Sequence, residues 1–249
     1  MTLEDANDLT PDIHALAVEE MERFRLGPLL TPPSLQETLQ SPGSSGGVSW
    51  GGAAFDPETG LLYVRTTEEA DTNQLCVNTG ENPEVDVEYS NNCPYGATLV
   101  MYQEADGPGP AQTPESDLGP IPLIKPPYAQ LVAIDLNGGE IAWKVPFGEG
   151  RPALRQHPLL RGVELPKRLG TRGNSGPMAT KGGLVFLGGG TPYLYAFDSA
   201  TGAEIWRGAT PFPTHSNPMT YRAQSGRQFV VIATGSGPRA ALVAFARSR

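Results

Sequence analysis

The sequence predicts an all-β fold made of repeated antiparallel sheets, preceded by one helix. Three observations predict it. The 30 glycines and 25 prolines among 249 residues are spread between short apolar runs instead of gathered in one block, which is the composition of a turn-rich β protein. Apolar runs of strand length alternate with turn residues from Trp50 to the end of the chain. A hairpin also repeats: "LVAIDLNGGEIAWKVPF" (131–147) and "LYAFDSATGAEIWRGAT" (194–210) superpose at an offset of 63, placing Ala133 on Ala196, Asp135 on Asp198, Gly139 on Gly202 and Trp143 on Trp206.

The helix comes first in the chain. In "LTPDIHALAVEEMERFRLGP", Thr10 can cap the N-terminus and Pro11 suits the first helical position. Ile13, Leu16, Ala17, Met21 and Phe24 fall on one face before Gly27 and Pro28 stop the helix. The following "GPLLTPPSLQETLQSPGSSGG" holds too many prolines and glycines for regular structure and reads as an extended loop. Residues 1–46 therefore form a leading helix and loop, and 47–249 the repeated sheets.

The next stretch, "GVSWG" (47–51), matches the G-x-S-x-G nucleophile elbow of serine hydrolases. That motif needs a strand before it and a helix after it. Here "SPGSSGG" precedes and a hairpin follows, since Asp56-Pro57-Glu58-Thr59-Gly60 is turn chemistry between two apolar runs. Ser49 is therefore not read as a nucleophile.

In the repeated hairpin, a strand ends at an Asp that caps the turn, Gly takes the tight position, and the returning strand delivers a Trp to pack on the neighbouring unit. Recurrence at equivalent positions makes Asp135, Asp198, Trp143 and Trp206 structural. Each hairpin follows two further strands, "SWGGAAFDPETGLLYVRTT" before the first and "NSGPMATKGGLVFLGG" before the second. A proline-rich insertion at 68–127 separates the first pair from its hairpin. A third unit, "HSNPMTYRAQSGRQFVVIATGSG" with "ALVAFARSR", supplies three strands. Four antiparallel strands per unit make a β-propeller blade, and a ring closes with about 4–8 blades. The expectation is a partial propeller of about three blades.

Composition limits partners. The net charge of −9 disfavours nucleic acid and anionic membrane surfaces, which call for clustered Lys and Arg. No run approaches the roughly 20 apolar residues of a spanning helix, and "MTLEDANDLT" lacks the apolar core of a signal peptide. Cys76 and Cys93 fit one disulfide or two free thiols. They and the scattered His14, His157 and His215 make no zinc-site spacing.

The runs "GPLLTPPSLQETLQSPG", "GGVSWGGAAFDPETGLLYV", "CPYG", "AQLVAIDLNGGEIAWKVPFG", "GPMATKGGLVFLGG", "YLYAFDSATGAEIW" and "PMTYRAQSGRQFVVIATG" resemble, in order, the C-terminal part of pyrroloquinoline-quinone (PQQ) dependent dehydrogenases of the membrane glucose dehydrogenase-like branch. The resemblance implies an eight-bladed propeller holding PQQ and calcium, oxidising a sugar or alcohol hydroxyl in the periplasm and passing electrons to a quinone or cytochrome. It implies hydride abstraction with an aspartate base and a calcium ion polarising the quinone. The family's base, metal ligands and quinone-flooring tryptophan lie in earlier blades, so no catalytic or metal-ligating residue is expected here, and the chain is expected to be inactive without those blades. Two segments match positions that approach the quinone: Ser49 and Trp50, where many relatives carry a polar residue such as Asn beside the Trp, and Asn174 with Ser175. A non-catalytic quinoprotein-like scaffold for binding or assembly is the alternative.

Overall fold

A computed structural model describes residues 1–43, 46–78, 87–90, 118–119 and 121–247, the Ser49 side chain excepted. Most of the proline-rich insertion, and Cys93 within it, lie outside the described residues. Cys76 is disulfide-bonded. The chain divides into two compact units, one of residues 1–47, 68–126 and 151–165 and the other of residues 48–67, 127–150 and 166–249.

The first unit gathers the helix, the loop after it and the start of the insertion. Helix α1 (Pro11–Met21) begins as its sequence dictates, with the Thr10 hydroxyl accepting from Ile13 N–H at 3.1 Å, and it buries Ile13, Ala17 and Met21. It ends at Met21, earlier than Gly27. The amides of Arg23 and Phe24 bond back three residues, to Glu20 and Met21 carbonyls, and this tightening closes the helix before the glycine is reached. The segment expected as plain loop contributes a strand, Thr38–Gln40, antiparallel to Asp71–Asn73. Its far edge bonds Arg25, through Leu39 N–H to Arg25 O at 3.1 Å.

The second unit is all β. Strands β1 (Val48–Asp56), β2 (Leu61–Thr67), β3 (Ala129–Asp135) and β4 (Glu140–Pro146) form one antiparallel sheet in chain order. Strands β5 (Met178–Thr180), β6 (Leu184–Leu187), β7 (Tyr193–Asp198) and β8 (Glu204–Ala209) form a second. Strands β9 (Met219–Arg222), β10 (Gln228–Thr234) and β11 (Ala241–Phe245) form a third, of three strands. Successive meandering sheets of this kind are the blades of a partial propeller.

The turns repeat as the sequence predicts. Asp135 Oδ1 accepts from Asn137 N–H at 2.8 Å, and Asp198 Oδ1 accepts from the amides of Ala200 at 3.1 Å and Thr201 at 2.9 Å. Gly139 and Gly202 close them at φ of 72° and 71°, a backbone that disfavours any side chain. Both hairpins carry a bulge just after the small Ala, between Ala133 and Ile134 and between Ala196 and Phe197.

Packing runs from sheet to sheet. Tyr63, Leu131, Ala133 and Phe147 of the first meet Val185, Leu187, Tyr195 and Phe197 of the second in one buried core. Trp143 lies over Gly202 and donates from Nε1 to Ser199 O at 3.1 Å. Trp206 of the second sheet meets Phe245 of the third edge to face, with ring centres 5.2 Å apart.

Candidate functional site

The site is built where β1 leaves its partner. The β1–β2 register runs Val48↔Thr66 and resumes at Ala53↔Val64, so β1 advances five residues while β2 moves two. The surplus, residues 49–52, bulges out of the ladder. Gly52 at φ 71° lets the chain return. The bulge throws Trp50 into solvent, with its surface 98% exposed. A side chain of that size is on average well covered, so the open indole has a whole face available for stacking.

Directly beside the bulge, the entry to the second sheet comes into backbone contact. A Cβ on Gly51 would fall within van der Waals distance of Gly176 N and 2.5 Å from Asn174 O. The final glycine of "GVSWG" is thus explained by close approach, with no nucleophile involved. Asn217, at the entry to the third sheet, touches both partners: its Oδ1 accepts from Gly176 N–H at 2.6 Å and its Nδ2 donates to Gly51 O at 2.8 Å. Trp50 and Asn174 are exposed on this edge, whereas Ser175 is buried. The structure therefore brings the two sequence-predicted segments together and divides their roles by burial.

Ser175 faces inward to Arg65. The Ser175 hydroxyl donates to Gly188 O at 2.5 Å and accepts from Arg65 Nη1 at 3.1 Å. Arg65, on β2 opposite the bulge, also donates to Gly188 O at 3.1 Å, Thr171 O at 2.6 Å and Gly189 O at 3.4 Å. Its guanidinium lies over the Phe147 ring at 4.7 Å. Burial pulls its pKa down to about 9, so it stays charged at neutral pH. Arg65 is thus a buried cation held by carbonyl oxygens, a hydroxyl and a π face.

Chemically, this edge offers a flat aromatic surface and an exposed amide, groups that can stack on and hydrogen-bond a planar polar molecule. Among the described residues, no three His, Cys, Asp or Glu side chains gather. Sequence reasoning singled out Ser49, Trp50, Asn174 and Ser175; the structure adds Arg65 and Asn217 as their neighbours. Each left a signal: Arg65 is the one charge inside the run "LLYVRTT", and Asn217 leads into a Pro-Met pair two residues more closely than Asn174 does in "NSGPM".

Comparison with known proteins bears on this arrangement. The PQQ family model described as glucose/ethanol/alcohol dehydrogenase, beta-propeller domain, matches residues 1–230. The chain is 32% identical over 228 residues to the quinate/shikimate dehydrogenase (quinone) of Acinetobacter baylyi, covering 91% of this chain and 28% of that one. It is 29% identical over 223 residues to quinoprotein glucose dehydrogenase A of Acinetobacter calcoaceticus, covering 86% and 26%. The chain thus spans just over a quarter of the length of these curated relatives. A europium-containing methanol dehydrogenase superposes with a TM-score of 0.52 at 22% identity, over 87% of this chain and 29% of that one, and supports the fold. With sheets, turns and sequence in agreement along nearly its whole length, the chain belongs to the PQQ glucose/ethanol/alcohol dehydrogenase β-propeller family.

Proposed function

We propose that this chain forms the C-terminal blades of a PQQ-dependent dehydrogenase that oxidises a hydroxyl of a sugar or other alcohol and passes electrons to a quinone or cytochrome. The exposed Trp50 indole at the blade edge, backed by buried Arg65, carries this reading. When bound, PQQ supplies the two-electron acceptor for the alcohol carbon. This chain's residues would help hold it: Trp50 would present a face for stacking and Asn174 an amide for hydrogen bonding, while Ser175 fixes the buried Arg65.

The acid–base group and the calcium ligands are assigned to parts of the protein outside this chain. The chain by itself therefore turns over no polyol, even with PQQ and calcium supplied. A periplasmic location is part of the proposal; the disulfide at Cys76 suits an oxidising compartment. No helix among the described residues is long and apolar enough to cross a membrane.

Trp50→Ala in the full-length protein tests the reading. An exposed side chain contributes little to folding, so the melting temperature should hold while the dissociation constant for PQQ rises about tenfold, the equivalent of about 1.4 kcal/mol of lost stacking. Unchanged PQQ affinity in the variant would remove the cofactor role, and absence of PQQ binding by the wild-type protein would remove the whole reading.

A further inference from the structure

We infer that Asn217 is a positioning residue for the cofactor face, setting the spacing between the Trp50 bulge and the Asn174–Gly176 segment. The inference rests on the PQQ reading above. Within residues 49–52, β1 has left the β2 ladder, so the backbone that carries Trp50 is not fixed by its own sheet. The Gly51 carbonyl in this stretch accepts from Asn217 Nδ2 at 2.8 Å. The same amide group receives Gly176 N–H on its Oδ1 at 2.6 Å.

One side chain from the third sheet thereby links the first strands of the other two. The orientation of the amide is set by its partners, because the flipped group would face NH₂ with N–H and C=O with C=O. Its own backbone is restrained too. Pro218 follows Asn217 and disfavours helical torsions there, and β9 begins one residue later. Asn217 is exposed, so its packing contributes little to the core and its effect falls on geometry. The residue following Trp50 is the tethered one, so a shift of the Gly51 carbonyl moves the indole directly. Loss of the tether would leave the two glycine backbones, Gly51 and Gly176, in contact by sterics alone.

The test compares Asn217→Ala with Thr220→Ala in the full-length protein. Thr220 lies three residues on, in β9, and donates to Phe229 O at 2.8 Å, away from the bulge, so it reports a merely structural effect on the third sheet. PQQ dissociation constants are read by quenching of tryptophan emission, and hydrogen exchange is followed in peptides that contain Gly51–Gly52 and Gly176. For Asn217→Ala we expect a five- to tenfold weaker PQQ affinity, faster exchange at both glycine segments without PQQ, and a melting temperature within about 3 °C of wild type. Thr220→Ala should leave both readouts unchanged. Wild-type affinity in Asn217→Ala, or an equal loss in Thr220→Ala, overturns the inference while PQQ binding by wild type still stands. Failure of wild type to bind PQQ instead takes down the functional reading on which it rests.

Discussion

Arg65 shows how one buried charge can be held without an ion pair to a carboxylate. Its donors reach three carbonyl oxygens and the Ser175 hydroxyl in a planar fork, and its face covers Phe147. A lysine places three donors at one point and cannot span these acceptors. Arg65→Lys is expected to lower stability by about 2–4 kcal/mol in chemical denaturation, through buried carbonyls left without donors. A change under about 0.5 kcal/mol would show that water replaces the guanidinium at no cost. Gly51 makes a second residue-scale case. Gly51→Ala must push β1 from the 174–176 backbone and is expected to cost about 1–3 kcal/mol, whereas a serine-hydrolase reading of the motif predicts loss of an esterase activity that Ser49→Ala would share.

At the scale of strands and turns, the periodic features were legible and the irregular ones were not. Asp135 with Gly139 and Asp198 with Gly202 could be paired from sequence because a capped turn needs those residue types in that order. The bulge at 49–52 could not, because nothing in "VSWGG" fixes how far β1 slips against β2; it lies against Gly176, in a segment more than a hundred residues away. The strand Thr38–Gln40 was hidden for the same reason, its partner being in the insertion. The site was half legible: Trp50 and Asn174 stood out by type, while burial of Ser175 and the reach of Asn217 depend on pairing between sheets. One strand also carries a pH signature. Burial raises the Tyr195 pKa above its ordinary 10.0, against a smaller lowering effect of the nearby Arg207 cation. A phenol whose folded pKa is raised contributes stability that is intact below the unfolded value and is lost as pH rises through the folded one. Melting temperature should therefore fall more steeply above pH 10 in wild type than in Tyr195→Phe, and parallel curves would exclude the effect.

At the scale of the whole second unit, the sheets at either end present apolar side chains to solvent. Phe55 and Ile141 of the first are 52% and 59% exposed, and Met219 and Leu242 of the third are 53% and 74% exposed. Strand β11 is also an edge in a sheet of three. Exposed apolar faces and open edges recruit other chains. The 249-residue chain alone is therefore expected to self-associate, and size-exclusion chromatography with light scattering would refute this by showing a monodisperse, cooperatively melting monomer. If further blades complete the ring as proposed, a segment supplying them should suppress the association by binding the folded form.

The tryptophan packing adds a direction to that association. Trp143 reaches forward to cover Gly202, and Trp206 reaches forward to Phe245, so every joint between sheets has a donor side and a receiver side. The receiver in the first sheet, Gly139, has no described atom within 4 Å of where its Cβ would stand. A joint with two unlike halves is heterologous, and copies joined this way grow head to tail instead of pairing about a two-fold axis. The oligomers of the isolated chain should thus form an open-ended series of sizes that lengthens with concentration, with no preferred dimer.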